Sequence, residues 1–403
     1  MNIITSILAP VRTAYLLYRW RQRRKAGRSI RVRVAAPVDF FQALDRIGVK
    51  YAVMRWWDEV PESPVACATF KGDVDVLVED HAHVAAARAA AEMHGQVAIE
   101  FRSVTGEMGS YAGWPYLPPA FAAEILDKRV RHPRGFFIPA PEHRLAVVMF
   151  HLCYHKAEGS GIPTGCELLD ANPGQPPKSD YAARLRALAV AEAETLPDPL
   201  TLTSIHNRLA RRGFDMQLDL LVRWPLQSPW IKHLTSLAKA DYAVNAAKLR
   251  GIAVFFLRSD LARAQWPRAV AHFAESFEVV EHGALDEAQR LRCRRHLRGG
   301  NWFDHRGCSL AEPVYYIICL DRTAFVDPKQ ATERLLREKR RLREQIRADA
   351  TAANIRCRHA IHSADDAEEA QHSIDVLFGE EAESARARFF EAISRAATTA
   401  PTT

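Results

Sequence analysis

Two aspartates separated by a single residue are the sharpest chemical feature of the sequence. Asp73 and Asp75 alternate with Val74 and Val76, and residues two apart on a β-strand project from the same face about 6.6 Å apart. The two carboxylates could therefore share a divalent cation while the valines face the core. A third acid, Glu100, interrupts an apolar run in the next predicted strand. Three carboxylates predict a Mg²⁺ site that would bind nucleotide phosphates and lower the pKa of an attacking hydroxyl.

The stretch from about residue 38 to 160 resembles the nucleotidyltransferase superfamily of the polymerase-β type. Its Asp-x-Asp strand and third acid on a neighbouring strand match Asp73, Asp75 and Glu100. The resemblance implies Mg²⁺-dependent transfer of a nucleotidyl group from ATP or another NTP, with these acids as metal ligands and catalytic residues. Where that superfamily has a Gly-Ser pair for the triphosphate, this sequence has Arg55 before two tryptophans, so Arg55 is a candidate nucleotide ligand. The alternative interpretation is structural, with acids that cap a strand end.

Two histidines four residues apart lie in a predicted helix over residues 141–159. His151 and His155 lack the intervening carboxylate of the zinc-protease pattern, so no zinc site is predicted. Such histidines are typical of hydrogen-bonded core residues. Lys156, which follows them, is a candidate phosphate ligand.

A single histidine precedes an acid-rich helix start near the C-terminal end. His362 lies in a predicted short turn, where Ser363 and Asp365 are suitable helix caps. Residues 251–379 resemble nucleoside diphosphate kinase, in which a His-Gly-Ser-Asp turn carries the histidine that is phosphorylated. The acid that would orient this imidazole falls at Ser373.

The second resemblance implies a ferredoxin-like domain that binds nucleotide and transfers phosphoryl groups through His362. Arg258, at the end of the domain's first predicted strand, and Arg347, in an Ile-Arg-Ala-Asp segment, are then candidate nucleotide ligands. A guanidinium can bind phosphate oxygens in a bidentate manner.

The order of predicted strands and helices indicates an α/β chain of the α+β type. We expect a nucleotidyltransferase-like mixed sheet with a helical extension, followed by the ferredoxin-like domain. The predicted segments are a basic amphipathic N-terminal segment, the two domains and a C-terminal tail, at residues 1–36, 37–248, 249–380 and 381–403.

The net charge of +7 is concentrated at the start of the chain. Nine of the 55 Lys and Arg residues precede the first acid, Asp39, which leaves 46 basic against 48 acidic residues, a formal charge of −2, in the remainder. No basic track follows the body of the protein, so we expect no nucleic-acid partner. Residues 1–34 combine apolar and basic side chains, which is typical of a segment that lies on an anionic membrane surface. A basic tail or a helix packed on the domain is the alternative.

The seven cysteines form no Cys-x-x-Cys pair, which favours the reducing cytoplasm, with the N-terminal segment at the inner face of the membrane. No apolar run reaches the length of a transmembrane helix. We therefore expect a nucleotide-dependent phosphorus-group transferase whose acceptor is a sugar or a lipid-linked intermediate. The alternatives are a non-catalytic nucleotide sensor and a membrane-peripheral scaffold.

Overall fold

The described part of the chain has a mixed α/β structure with two four-stranded sheets and one two-stranded sheet. The computed structural model describes residues 3–25, 30–80, 82–106, 115–171, 179–216, 218–297, 313–352, 361–364 and 367–398. Contacts divide the chain into two compact units, Met1–Leu234 and Thr235–Thr403. The division falls inside a helix, Pro229–Ala246, whereas the sequence placed a boundary after residue 248. Among the described helices, none is both long and apolar enough to cross a bilayer.

Helices and short strands alternate in the first unit. Its strands are β1 Ile30–Val34, β2 Tyr51–Val53, β3 Asp73–Val78, β4 Val97–Ser103, β5 Val130–Arg131 and β6 Phe137–Ile138. Its helices are α1 Ile3–Lys25, α2 Pro37–Arg46, α3 Pro64–Thr69, α4 His83–Glu92, α5 Pro119–Lys128, α6 Pro141–Phe150, α7 Glu167–Asp170, α8 Tyr181–Ala191, α9 Leu202–Arg211 and α10 Leu218–Arg223, with α11 Pro229–Ala246 running across the division. A π-helix, His151–Lys156, directly continues α6.

The main sheet of the first unit has the strand order β1-β4-β3-β2. The central pair, β3 and β4, is parallel, and both outer pairs are antiparallel. Side chains alternate between the two faces of a strand, so each strand contributes to two different layers. One face is apolar and carries valine, isoleucine and phenylalanine side chains of β1, β3 and β4.

The apolar face packs against α2, α4 and the C-terminal half of α1. Phe40 and Phe41 of α2 are fully buried in this core, and Pro37 opens that helix at a position where no backbone donor is lost. Trp20 of α1 is only 3% exposed and contacts Phe101 of β4 edge to face, with ring centroids 5.9 Å apart. The N-terminal helix is therefore anchored to the core, which was one of the two interpretations of residues 1–34.

The predicted N-terminal segment of residues 1–36 needs a correction, because it includes a strand of the sheet. Ile30, Val32 and Val34 are buried while the two arginines between them are exposed. The segment IRVRV thus has the period of two that a half-buried strand requires. It pairs with β4 along its whole length. Despite its basic composition, this stretch forms a regular edge strand of the sheet.

The second unit contains a four-stranded antiparallel sheet with the order β10-β7-β9-β8. Its strands are β7 Ile252–Arg258, β8 Glu278–Ala284, β9 Pro313–Leu320 and β10 Ile361–Ser363. Its helices are α12 Ser259–Ala274, α13 Glu287–His296, α14 Pro328–Ala352, α15 Ala367–Phe378 and α16 Ala382–Thr398.

Phe255 and Leu257 of β7 belong to an apolar cluster that also contains Phe273 of α12 and Leu342 and Ile346 of α14. These two helices therefore cover one face of the second sheet.

The C-terminal residues are part of this second unit. Helix α16 lies in the range predicted as a tail, and Phe389 within it is fully buried, with its ring 6.0 Å from that of Phe378. The burial of this helix makes it a structural element of the unit, which corrects the predicted tail.

Candidate active site

The parallel register of β3 and β4 brings the three predicted acids to one face of the sheet. Asp75 lies directly opposite Glu100, and Asp73 lies opposite Ala98. The valines between the acids point into the apolar core on the other face. The side chains of Asp75 and Glu100 are 5% and 9% exposed, whereas that of Asp73 is 40% exposed. The acids therefore form a row that runs from the interior to the surface.

Two arginines bind the buried carboxylate of Asp75. Arg55, which follows β2, contacts Asp75 Oδ2 through a terminal nitrogen at 2.5 Å. Arg102 of β4 contacts Asp75 Oδ1 at 3.3 Å and Glu100 Oε2 at 2.5 Å. Arg102 lies two residues after Glu100, so the strand period itself puts the two side chains on one face.

A third arginine joins the two outer acids. Arg31 of β1 is the register partner of Glu100, and one of its terminal nitrogens lies 2.7 Å from Glu100 Oε1 and 3.2 Å from Asp73 Oδ2. Together the three acids and the three arginines form an alternating network with no formal net charge. We call these six residues the charge network: Asp73, Asp75, Glu100, Arg31, Arg55 and Arg102.

Burial and mutual repulsion set the ionisation of this network. Burial, with smaller contributions from Asp75 and Glu100, raises the pKa of the Asp73 carboxyl. Burial disfavours the charged forms of Arg55 and Arg102, but nearby carboxylates, with Asp75 contributing most, reverse this effect, so both guanidinium pKa values are raised. The two buried arginines therefore stay cationic, and their pairing with carboxylates offsets the cost of burying these charges.

Tyr116 covers the network from the helical side. Its ring lies 4.8 Å from the guanidinium carbon of Arg102 and 5.6 Å from that of Arg55, which is cation–π distance. Arg55 donates a hydrogen bond of 2.6 Å to the Tyr116 hydroxyl, and this oxygen lies 2.5 Å from His151 Nδ1. Tyr116 thus links Arg55 to His151 through its hydroxyl group.

The two histidines of the π-helix are core residues that support Tyr116. His155 donates from Nε2 to the Tyr116 carbonyl oxygen at 2.8 Å, and the two rings stack with centroids 3.7 Å apart. Burial lowers the pKa of both His151 and His155, and Arg55, Arg102 and Lys156 lower them further. The expectation of hydrogen-bonded core histidines is met.

Two residues that directly follow candidate site residues have unusual backbone conformations. Trp56, immediately after Arg55, has φ 54° and ψ 34°, and Ala157, immediately after Lys156, has φ 48° and ψ −129°. Such conformations cost of order 1–3 kcal/mol in a residue other than glycine. A π-helix is itself rare and frequent at functional sites. Lys156 lies at the end of this helix with its ammonium 5.5 Å from the Tyr181 ring.

The carboxylates have the right chemistry for a divalent cation, since Mg²⁺ prefers carboxylate oxygen. Guanidinium nitrogens lie 2.5 to 3.3 Å from both carboxylate oxygens of Asp75 and Glu100 and from Asp73 Oδ2. Among the described residues, no group of three or more His, Cys, Asp or Glu is arranged to hold a metal ion. A cation could be held by Asp73, Asp75 and Glu100 after the arginines move to other anions.

The second unit brings two of its three predicted residues to neighbouring strands. His362 lies in the middle of β10 opposite Phe256, with ring centroids 6.4 Å apart. Arg258 is buried at the end of β7, beyond a β-bulge. Arg347 is exposed on α14, the helix that covers the other face of this sheet.

The predicted turn at His362 is therefore wrong. Ile361 and Ser363 pair with β7, so His362 belongs to a short edge strand. The apolar residues around the histidine favour this pairing, because Ile361 enters the core. Asp365, the predicted acid of the turn, lies outside the described residues.

Sequence reasoning missed three members of the site: Arg31, Arg102 and Tyr116. The first two could have been found, because Arg31 alternates with apolar residues and Arg102 follows Glu100 by one strand period. Tyr116 gives no such signal, since its position depends on how the helical layer packs.

The chain matches no protein-family model, no curated protein and no solved structure. The case for a function rests on the geometry of the charge network.

The buried imidazole of His151 predicts a loss of stability in acid. Burial lowers the pKa of His151 in the folded state, so the unfolded chain binds the proton more readily. The stability that the neutral imidazole contributes is fully present above the unfolded-state pKa of about 6.5 and is lost as the pH falls below it. His151→Gln should show a smaller decrease in the free energy of unfolding between about pH 8 and pH 5, measured by urea titration.

The exposed histidine His94 offers the matched control, and His94→Gln should keep the wild-type pH dependence. If His151→Gln and the wild type lost equal stability in acid, the buried neutral ring would be ruled out.

Proposed function

We propose that the first unit is a Mg²⁺-dependent nucleotidyltransferase whose active site is the charge network. The observation that carries the proposal is the alternation of three acids and three arginines on one sheet face, with Asp75 and Glu100 buried. Buried ion pairs add little stability compared with apolar residues of similar size. Clusters of buried, mutually perturbing charges are instead frequent at functional sites.

The network suits a ligand that brings both signs of charge. A nucleoside triphosphate with Mg²⁺ offers phosphate oxygens to the arginines and a cation to the carboxylates. Each ion pair within the protein would be exchanged for one with the ligand, so no buried charge is left uncompensated. Uncompensated charges would cost several kcal/mol each.

Each residue then has a definite task. Asp73, Asp75 and Glu100 would hold the cation, with Asp73 at the exposed end of the row. Arg55 and Arg102 would bind phosphate oxygens, and Tyr116 would keep both guanidinium groups in place through its ring and hydroxyl. Lys156, beside the histidines, would contact a phosphate at the rim.

Arg55 takes the place of the Gly-Ser pair that the resemblance implies. The superfamily would bind the triphosphate there through small residues, and this chain offers a guanidinium at the end of β2 instead. Arginine binds phosphate in a bidentate manner, so the substitution is compatible with the same ligand.

The reaction joins an acceptor oxygen to the α-phosphorus and releases pyrophosphate, because the bond from the α-phosphorus to the bridging oxygen breaks. When bound, Mg²⁺ supplies charge neutralisation and a lower pKa for the attacking hydroxyl. Glu100 is the residue best placed to accept the proton of that hydroxyl, since it lies next to the two aspartates.

The topology supports the finer fold assignments. In the first unit, the strand with both aspartates pairs in parallel with the strand that carries the third acid, as the resemblance implies. In the second unit, strands and helices follow the β-α-β-β-α-β order of ferredoxin-like domains, with α13 inserted before β9. This order supports a nucleoside diphosphate kinase-like unit that binds nucleotide through Arg258 and carries a phosphoryl group on His362.

A non-catalytic nucleotide sensor is the second candidate. The pairing of every network carboxylate with an arginine favours it, because a site that never exchanges these pairs would bind no cation. A membrane-peripheral scaffold is the third. For all three we propose the cytoplasm, since the five described cysteines are unpaired and four of them are buried.

The first test measures transfer of α-labelled ATP in the presence of Mg²⁺. Asp73→Asn removes a cation ligand at the exposed end of the row, so the fold should persist while transfer falls about 100-fold or more. This factor corresponds to the loss of a few kcal/mol of transition-state stabilisation. Circular dichroism checks that the variant is folded.

Asp127 gives the matched control, because it is 52% exposed and forms one ion pair, with Lys50 at 3.1 Å. Asp127→Asn should transfer label at the wild-type rate. Wild-type transfer by Asp73→Asn would remove the proposed mechanism, and ATP binding without any transfer by the wild type would favour the sensor.

The second unit is tested with γ-labelled ATP. We expect the wild type to acquire acid-labile label and His362→Gln to lose it, because the imidazole nitrogen is the proposed acceptor. His282→Gln changes an exposed histidine on β8 of the same sheet and should keep the label. Equal labelling of both variants would exclude His362 as the carrier.

A further inference from the structure

A basic cavity of about 600 Å³ lies between α1, β1 and α4. Its size falls within the range of small-molecule sites. Of the described residues that line it, none is acidic. Five are arginines: Arg12, Arg19, Arg23, Arg31 and Arg33.

Two regular elements bring these arginines together. On α1, the lining residues follow the spacing of one helix face, since Arg12, Leu16, Arg19 and Arg23 succeed one another at intervals of four, three and four. Trp20 is buried against the core, so the anchor that fixes this helix also fixes the direction of its arginines.

On β1, Arg31 and Arg33 are exposed residues of a strand whose alternate side chains are buried. Both are among the residues that line the cavity. Arg33 donates to the Gln96 carbonyl oxygen at 2.8 Å, which leaves its full positive charge in place.

Like charges that surround a cavity repel one another and attract anions. None of the described lining residues is a carboxylate, and the aromatic ring of Tyr15 adds a stacking surface. A phosphate group, with its several acceptor oxygens, suits a cavity to which a helix and a strand both contribute arginines.

Arg31 connects this cavity with the charge network. Arg31 is one of the lining residues, and its guanidinium contacts Asp73 and Glu100 at 3.2 and 2.7 Å. An anion in the cavity would therefore compete with the two carboxylates for the same cation. Its binding would loosen the outer end of the network, where Asp73 is exposed.

We propose that the cavity binds the phosphate or pyrophosphate group of the acceptor. The role of acceptor rests on the proposed nucleotidyltransferase function, whereas the binding of a phosphate-bearing ligand rests on the cavity alone. The same chemistry could come from a soluble phosphorylated compound or from the phosphate headgroup of a lipid. Val11, Tyr15 and Tyr18 are exposed on α1, which would suit a bilayer beside the cavity.

The test measures the binding of inorganic pyrophosphate to the full chain by titration calorimetry without Mg²⁺. Arg12→Gln with Arg33→Gln removes two cavity charges that contact none of the acids in the charge network. We expect the Kd to rise about tenfold or more, because each arginine–phosphate contact is a charge-assisted hydrogen bond. Arg19→Gln provides a second variant should the double variant fold poorly.

Arg46 and Arg186 provide the matched control. Both are exposed arginines on other helices of the first unit, and the double variant Arg46→Gln with Arg186→Gln should bind pyrophosphate as the wild type does. Equal weakening in both double variants, or no binding by the wild type, would overturn the proposal.

Competition separates the sources of the phosphate. Displacement of pyrophosphate by vesicles that contain phosphatidic acid would support a lipid headgroup, and its persistence beside such vesicles would support a soluble ligand. A single-stranded oligonucleotide that binds more tightly than pyrophosphate and is lost in the same variant would overturn the proposal in favour of nucleic acid.

The two proposals can fail separately. Asp73 is not among the lining residues, so the Asp73→Asn variant should retain pyrophosphate binding. If the wild type transferred the α-label but bound no pyrophosphate, the cavity proposal alone would be removed. Absent transfer with intact, arginine-dependent pyrophosphate binding would remove the nucleotidyltransferase and leave the phosphate site.

Discussion

The parallel pairing of β3 with β4 is the constraint on which the site depends. It places Asp75 opposite Glu100 while the intervening apolar residues of both strands enter one core. A shift of one residue would turn the carboxylates into that core and the valines out of it. The register is therefore fixed by the hydrophobic effect, and the position of the acids follows from it.

Buried acids in turn dictate what surrounds them. Asp75 and Glu100 would each be an uncompensated charge in a medium of low polarity. Arginines on β1, on β4 and in the segment after β2 prevent this. Tyr116 and the neutral histidines behind it hold these arginines from the helical side. Buried ion pairs of this kind contribute little to the stability of the fold. The proposed binding of a ligand that carries both positive and negative charge therefore accounts for the network better than a purely structural role.

The limits of sequence reasoning follow from the same physics. The acids on β3 and β4 could be predicted, because period-two alternation of acid and valine is local information, and so could most helices and the α/β class. Arg31 belongs to the network only through the β1–β4 register, which is a long-range pairing. The basic composition of residues 1–36 led to the prediction of an amphipathic segment there, without a strand. His362 was predicted in a turn because β10 has three residues and gains its strand character from β7. The division between the two units within α11 could not be predicted from the sequence, because the helix is continuous across it.

The central claim is that the arginines exchange carboxylates for phosphates when nucleotide and Mg²⁺ bind. A crystal structure with Mg²⁺ and a non-hydrolysable nucleoside triphosphate tests it most directly. The account predicts that Arg55 and Arg102 contact phosphate oxygens and that Asp73, Asp75 and Glu100 face the cation. Ion pairs from Asp75 to Arg55 and Arg102 that stay intact, with the nucleotide bound elsewhere or not at all, would contradict it.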